Sequence, residues 1–313
     1  MASDAIDARG AGGETLRPCA RFAVRRLVDA PIIHPGMPGL EGERGENING
    51  PSLVRVPDWI DGALGRYYLY FAHHGGAYIR MAYADVLTGP WTVYEPGVLH
   101  MDRAPGRAHI ASPDVHCDSE RRQLRMYFHQ PAPASLAHLN QVSFVAHSAD
   151  GLHFDVEPSI LGAFYFRVFQ YGGWHYAFAK GISYRSSDGL SPFEKGPTHL
   201  PRCRHTALWQ EGHVLHLIFS RSEDAPESLL YTWADLRADW REWTFAEPEL
   251  LLAPQRDWEG AHLPVEPSRM GRAKGAVNQL RDPAIYIEGE RLYLLYSVAG
   301  ERGIAIAELE RIP

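Results

Sequence analysis

The sequence predicts an all-β fold, a single five-bladed β-propeller with four antiparallel strands per blade. Three observations carry this: a repeat of aromatic, proline and aliphatic residues in four copies, five aromatic-rich runs upstream of turns, and an orphan strand near the N-terminus. Repeats are read first because a missed repeat mis-assigns the whole fold.

The repeat sets Trp91 before Pro96 and Leu99, Phe154 before Pro158 and Leu161, Phe193 before Pro197 and Leu200, and Trp243 before Pro248 and Leu251. Proline cannot donate to a strand ladder, so within sheets it keeps to edges. Each copy therefore reads as the outermost strand of a blade. Glu194, one residue after Phe193, falls on such a strand and is set aside as a catalytic candidate.

The second strand of each blade is the clearest. The runs 67–71, 124–128, 174–178, 214–219 and 292–296 each follow a turn rich in glycine or charge, as hairpins require. Matched turns through Asp150-Gly151-Leu152 and Asp188-Gly189-Leu190 lead from third strands into outer ones. Five second strands stand against four outer ones, because the chain ends soon after the run at 303–309. The orphan strand at 22–28 is expected to close the last blade and so remove an exposed edge.

At 313 residues, length alone suggests two domains, but all-β units often run this long as one. Residues 1–18, rich in alanine and glycine, read as a disordered lead-in, and 19–313 as the propeller. The net charge, 31 − 38 = −7 with histidine neutral, comes without basic clusters, which speaks against a nucleic-acid partner. No apolar run approaches the roughly 18 residues of a membrane helix. The N-terminus lacks a basic start before an apolar stretch, so a cytoplasmic location is expected. Cys19, Cys117 and Cys203 are too scattered for a disulfide framework or a zinc site, and read as free thiols.

In a propeller the innermost strands begin near the axis on one face, which the loops between second and third strands share. The innermost-strand starts carry Asn49, Asp114 with His116, Arg167, Arg204 with His205, and Arg281 with Asp282. The second-to-third loops add His73, His74, His129 and Lys180. Of His73 and His74, at most one is expected to look inward, since neighbours on a strand point to opposite faces. Longer insertions at 38–48, which holds Glu46, and at 253–277 are expected to flank the same face, the second as a wall or lid.

Asp114, Asp282 and Glu46 lie nearest the expected axis, with Asp114 and Asp282 facing each other obliquely across it. Glycosidic hydrolysis commonly uses two carboxyl groups flanking the bond. His205 holds the fourth-blade position that corresponds to Asp282 in the fifth, and a histidine there suits a proton donor. Arg167, Lys180, Arg204 and Arg281 form a cationic ring, suited to an acidic sugar, to phosphate, or to ion pairs between blades. The spacing of His73, His116, His129 and His205 matches no metal signature, so no cofactor is assigned. A central ion such as calcium is compatible but not indicated.

Three motifs carry a family resemblance: Arg281-Asp282-Pro283-Ala284-Ile285, Ser112-Pro113-Asp114-Val115, and the two turns with Asp-Gly-Leu. Over roughly residues 20 to 310 the chain resembles glycoside hydrolase family 43 and its relatives in clans F and J. That resemblance implies a five-bladed propeller cleaving arabinose-, xylose- or fructose-containing glycans with inward carboxylates. It also implies that Asp114 orients and tunes a general acid. The sequence departs from the family at two positions. Its first blade starts Asn49-Gly50-Pro51 without an Asp, and its fourth starts Arg204-His205 without a Glu. A related family acting on agar-derived disaccharides is similar in using a histidine acid, and mannoside phosphorylases resemble it in fold. The expected function is a glycoside hydrolase acting on a short oligosaccharide, with a non-catalytic carbohydrate-binding propeller or a glycoside phosphorylase as the alternatives.

Overall fold

The computed structural model describes residues 20–312. The expected lead-in at 1–18 and Cys19 lie outside the described residues.

Five four-stranded sheets follow one another in sequence order. Blade one is β2 (Asn49–Arg55), β3 (Tyr67–Ala72), β4 (Tyr78–Ala84) and β5 (Thr92–His100). Blade two is β6 (Ala111–Asp118), β7 (Gln123–Pro131), β8 (Gln141–Ser148) and β9 (Asp155–Ala163). Blade three is β10 (Arg167–Tyr171), β11 (Trp174–Ala179), β12 (Ile182–Ser186) and β13 (Glu194–Thr198). Blade four is β14 (Cys203–Glu211), β15 (Val214–Arg221), β16 (Leu229–Asp235) and β17 (Glu249–Leu252). Blade five is β18 (Arg281–Glu288), β19 (Arg291–Ser297) and β20 (Ile304–Ile312), completed on its outer edge by β1 (Arg21–Arg26).

Three of the prolines lie on outer strands and Pro248 directly precedes the fourth, β17, and Glu194 is paired on β13 with Arg185 and Arg241. Ring closure joins Arg21 to Ile312 and Arg26 to Ala307 in antiparallel register. Arg26 then reaches the fully buried Glu259, at 2.7 Å and 2.8 Å, so the closing strand also anchors the 253–277 insertion.

Blades are glued by the aromatics of their second strands. Every residue of β3 is buried. Tyr70 packs edge-on to Phe154 of blade two, and Phe128 stacks on Phe144 within that blade. Burying such a side chain contributes about 1.5–3 kcal/mol. Hydrogen bonds fix the register between blades. The hydroxyl of Tyr70 donates to the Gly151 carbonyl at 2.9 Å, and that of Tyr127 to the Gly189 carbonyl at 3.1 Å. The two turns that receive them are alike. Asp150 Oδ1 accepts from the N–H groups of Leu152 and His153, and Asp188 Oδ1 from those of Leu190 and Ser191.

Candidate active site

The innermost strands do not begin as regular β. Their registers slip between Asn49 and Ser52, Ala111 and Asp114, Cys203 and Thr206, and Arg281 and Ala284. In three of them a left-handed residue precedes a proline: Gly50 at φ 61°, Ser112 at φ 53° and Asp282 at φ 47°. Glycine takes this conformation freely, whereas Ser112 and Asp282 hold it at a cost of about 1–3 kcal/mol each. Tyr165, at φ 71°, ends the loop into β10 in the same way. Such strain gathers at functional sites, where surrounding structure imposes it.

Ser112, Asp282 and Tyr165 all line one pocket at the upper mouth of the channel, with Asn49, Ala111, His74, His109, His129, His205 and Glu301. Its free volume is about 10 Å³, room for roughly one water molecule between these side chains. Aromatic rings circle it. His74 lies 6.4 Å from His109, His109 lies 6.1 Å from His129, His129 lies 4.8 Å from Tyr165, and Tyr165 lies 4.3 Å from His205, centroid to centroid.

The pair that closes this circle is His205 and Asp282, with Nδ1 2.5 Å from Oδ1. Both residues are buried, and neither His205 Nδ1 nor Asp282 Oδ2 makes a hydrogen bond of regular geometry, so the pair meets as an ion contact. Burial pushes the Asp282 carboxyl pKa up, but His205, Arg204 and Arg281 together hold it below the usual carboxylate range. Glu301 stays ionised on similar terms. Burial opposes its charge, while His74 and Arg281 favour it. Asn47 fixes this edge, donating to Glu301 and accepting from Asn49 Nδ2 at 2.9 Å and from the His74 N–H at 2.7 Å. His129 is fully enclosed, and burial holds its pKa well below the usual imidazole range.

Beneath the pocket lies a sealed charge cluster. Arg204 and Arg281 each approach Glu227 Oε2 at 3.2 Å, and Arg281 reaches Glu301 at 3.0 Å. Their other donors go to Gln279 and to carbonyls of Arg269 and Gly271 in the 253–277 insertion. That insertion is therefore tied down as a wall.

The structure gathers five of the expected site residues at this pocket: Asn49, His74, His129, His205 and Asp282. The expectation of one inward member in the His73-His74 pair is met by His74. His73 is half-buried and does not line the pocket. Burial, reinforced by Arg80, lowers the His73 pKa to about 4. Lys180 sits over the Phe164 ring at 4.8 Å, beside the pocket rather than in its lining.

The remaining expectations are corrected. Asp114 does not face Asp282. The prolines align Asp282 with Ser112, and Asp114 with Ala284 and Ser52, two residues further along the strand. At about 3.3 Å per residue this sets Asp114 roughly 7 Å deeper, and it lines a separate chamber with His116 and Arg167. There Asp114 Oδ2 accepts from the Val168 N–H at 2.8 Å, as Ser52 Oγ accepts from the Val115 N–H at 2.9 Å. Both are clasps onto the next blade. Glu46 is exposed beside a short 3-10 turn, and its carbonyl receives Arg302. Arg204 and Arg281 form no open cationic ring, because both are buried in ion pairs with Glu227 and Glu301. Sequence reasoning missed His109, Ser112 and Tyr165. His109 and Tyr165 lie in loops between blades, a position class that should have included them.

Among the described residues, no group of three or more His, Cys, Asp or Glu side chains is arranged to hold a metal ion.

No protein-family model matches the chain. An uncharacterized protein of Acanthamoeba polyphaga mimivirus is 35% identical over 301 residues, spanning 85% of this chain and 84% of that protein. Solved structures similar in fold include the GH43_1 enzyme from Xanthomonas citri complexed with xylotriose, at TM-score 0.57 and 15% identity over 91% of both chains. They also include a family-43 β-xylosidase/α-arabinofuranosidase from a compost microbial metagenome, at TM-score 0.57 and 13% identity over 94% of this chain and 96% of that one. At these identities the likeness is one of fold.

Proposed function

The chain belongs to one family with the uncharacterized mimiviral protein and carries the five-bladed propeller of family-43 glycoside hydrolases, and we propose that it is a glycosidase removing single sugars from a short oligosaccharide. The observation that carries this reading is the buried His205–Asp282 pair, which lines a polar pocket at the starts of the innermost strands. Asp282 Oδ1 meets Nδ1 and orients the imidazole, which leaves Nε2, on the far edge of the ring, to exchange protons with substrate.

His205 gives the Nε2 proton to the leaving glycosidic oxygen as the bond to the anomeric carbon breaks. Positive charge then develops on the sugar ring. The ionised carboxylates of Asp282 and Glu301 stabilise that charge in a site largely shielded from water. Water adds to the anomeric carbon and releases its spare proton to solvent, and His205 regains its proton from solvent.

The binding-only reading draws on one specific observation. Both pocket carboxylates are held ionised, so neither is the protonated carboxyl that two-carboxylate glycosidases use as acid. Phosphorolysis finds less support, since Arg204 and Arg281 are buried and bonded to Glu227, Glu301, Gln279 and backbone carbonyls of the protein.

The test is product release from short plant, algal and bacterial oligosaccharides, read by chromatography with and without phosphate. The expected result is phosphate-independent release of a monosaccharide that His205→Gln abolishes. Sugar binding with no release from any substrate establishes the binding-only propeller instead.

A further inference from the structure

A larger space than the upper pocket lies on the channel axis. A chamber of about 360 Å³ occupies the lower mouth, lined from all five innermost strands, and it shares no lining residue with the pocket above. It continues through His116, Val168, Phe169 and Gln170 into a groove of about 740 Å³ between blades two and three.

Its polar groups form a matched set. The Arg167 guanidinium is buried and held between blades, with Nη1 donating to the Pro113 carbonyl at 2.9 Å and Nε to the Thr206 carbonyl at 3.2 Å. Nη2 has no hydrogen-bond partner among the described residues. Asp114 spends Oδ2 on the Val168 N–H and on His116 Nε2, and Oδ1 likewise has no partner among them. One donor and one acceptor of opposite charge thus remain in the same chamber. The adjoining groove repeats the balance, with Asp118 at 3.0 Å from Arg121 and 3.4 Å from Arg125.

An anionic ligand would meet Asp114 there, and a cationic one Arg167. A hydroxyl satisfies both, accepting from the guanidinium and donating to the carboxylate. Leu53, Ile285 and Leu208 supply apolar wall for the C–H faces of such a ligand. We infer that the lower chamber and its groove are a second binding site, for a neutral polyhydroxylated chain such as an oligosaccharide segment. This inference does not rest on the chemistry assigned to the upper pocket.

The experiment is calorimetric titration of the full chain with xylotriose and cellotriose. The wild type is compared with Gln170→Trp, which blocks the groove from an exposed position, with Arg167→Met, and with Asp282→Asn in the upper pocket. Far-ultraviolet circular dichroism and melting curves check that each variant is folded. The expected result is that Gln170→Trp lowers the number of ligands bound per chain by one. Arg167→Met weakens that same site at least tenfold, and Asp282→Asn leaves it in place. Absence of binding in the wild type, equal stoichiometry in wild type and Gln170→Trp, or loss of all binding with Asp282→Asn overturns the inference. Loss of turnover in Asp282→Asn with the lower site intact bears on the upper pocket alone.

Discussion

Replacing Asp282 by asparagine removes one charge from the centre of the upper pocket while nearly preserving shape. The carboxylate is 3% exposed and 2.5 Å from His205, so the change acts on the imidazole directly. Asparagine no longer fixes the ring with Nδ1 turned inward, and it removes a negative charge facing the developing cation. General acid–base catalysis contributes about 10²–10⁴-fold. Turnover is expected to fall by that range, which is about 3–5 kcal/mol of barrier at roughly 1.4 kcal/mol per tenfold. The fold survives, because Arg204 and Arg281 keep Glu227, and Arg281 keeps Glu301. The stability cost is about 1–3 kcal/mol, the desolvation penalty of a polar group left short of a partner. Initial rates on a cleaved oligosaccharide measure the first effect, and a thermal melt the second. A folded Asp282→Asn enzyme working within about threefold of the wild type would refute the role given to the pair.

Glu227→Gln leaves the buried guanidinium of Arg204 without a close carboxylate and that of Arg281 with Glu301 alone, at an expected cost of about 3–5 kcal/mol in urea unfolding. Tyr70→Phe and Tyr127→Phe each delete one hydrogen bond between blades and are expected to cost about 0.5–1.5 kcal/mol apiece, read by the same assay. Stability is also expected to fall in mild acid. His73 and His216, each with a folded pKa near 4, and the more deeply depressed His129 bind protons more readily when unfolded. Unfolding therefore gains protons as pH drops from about 6.5, the unfolded imidazole value, towards 4. Melting temperatures recorded across that window should decline, and a flat profile would contradict these burial assignments.

The propeller was legible because its signals are local and repeated. Proline four or five residues after an aromatic marks an outer strand, and the surplus second strand at 292–296 called for an outer strand from the N-terminus, which β1 supplies by pairing with β20. His205 and Asp282 were legible as residues at the starts of innermost strands in neighbouring blades, although the registers align Asp282 with Arg204 and His205 with Pro283. The depth of Asp114 was not, for a specific reason. Placing it opposite Asp282 counted a residue after the proline as level with one before it. The strands run along the axis, so those two residues differ in depth by one full pleat. The fate of Arg204 and Arg281 was hidden differently. Glu227, which takes both, stands 23 residues from Arg204 and lies between β15 and β16, and no local pattern announces it. Glu46 was misjudged because an insertion near the axis in sequence terms can still turn its side chains outward.

The most direct measurement is a crystal structure of Asp282→Asn soaked with a short oligosaccharide that the wild type cleaves. The account predicts one sugar ring in the upper pocket, with its glycosidic oxygen about 2.6–3.2 Å from His205 Nε2, the reach of a proton-transfer partner. A sugar bound away from His205, with the upper pocket empty, would contradict it.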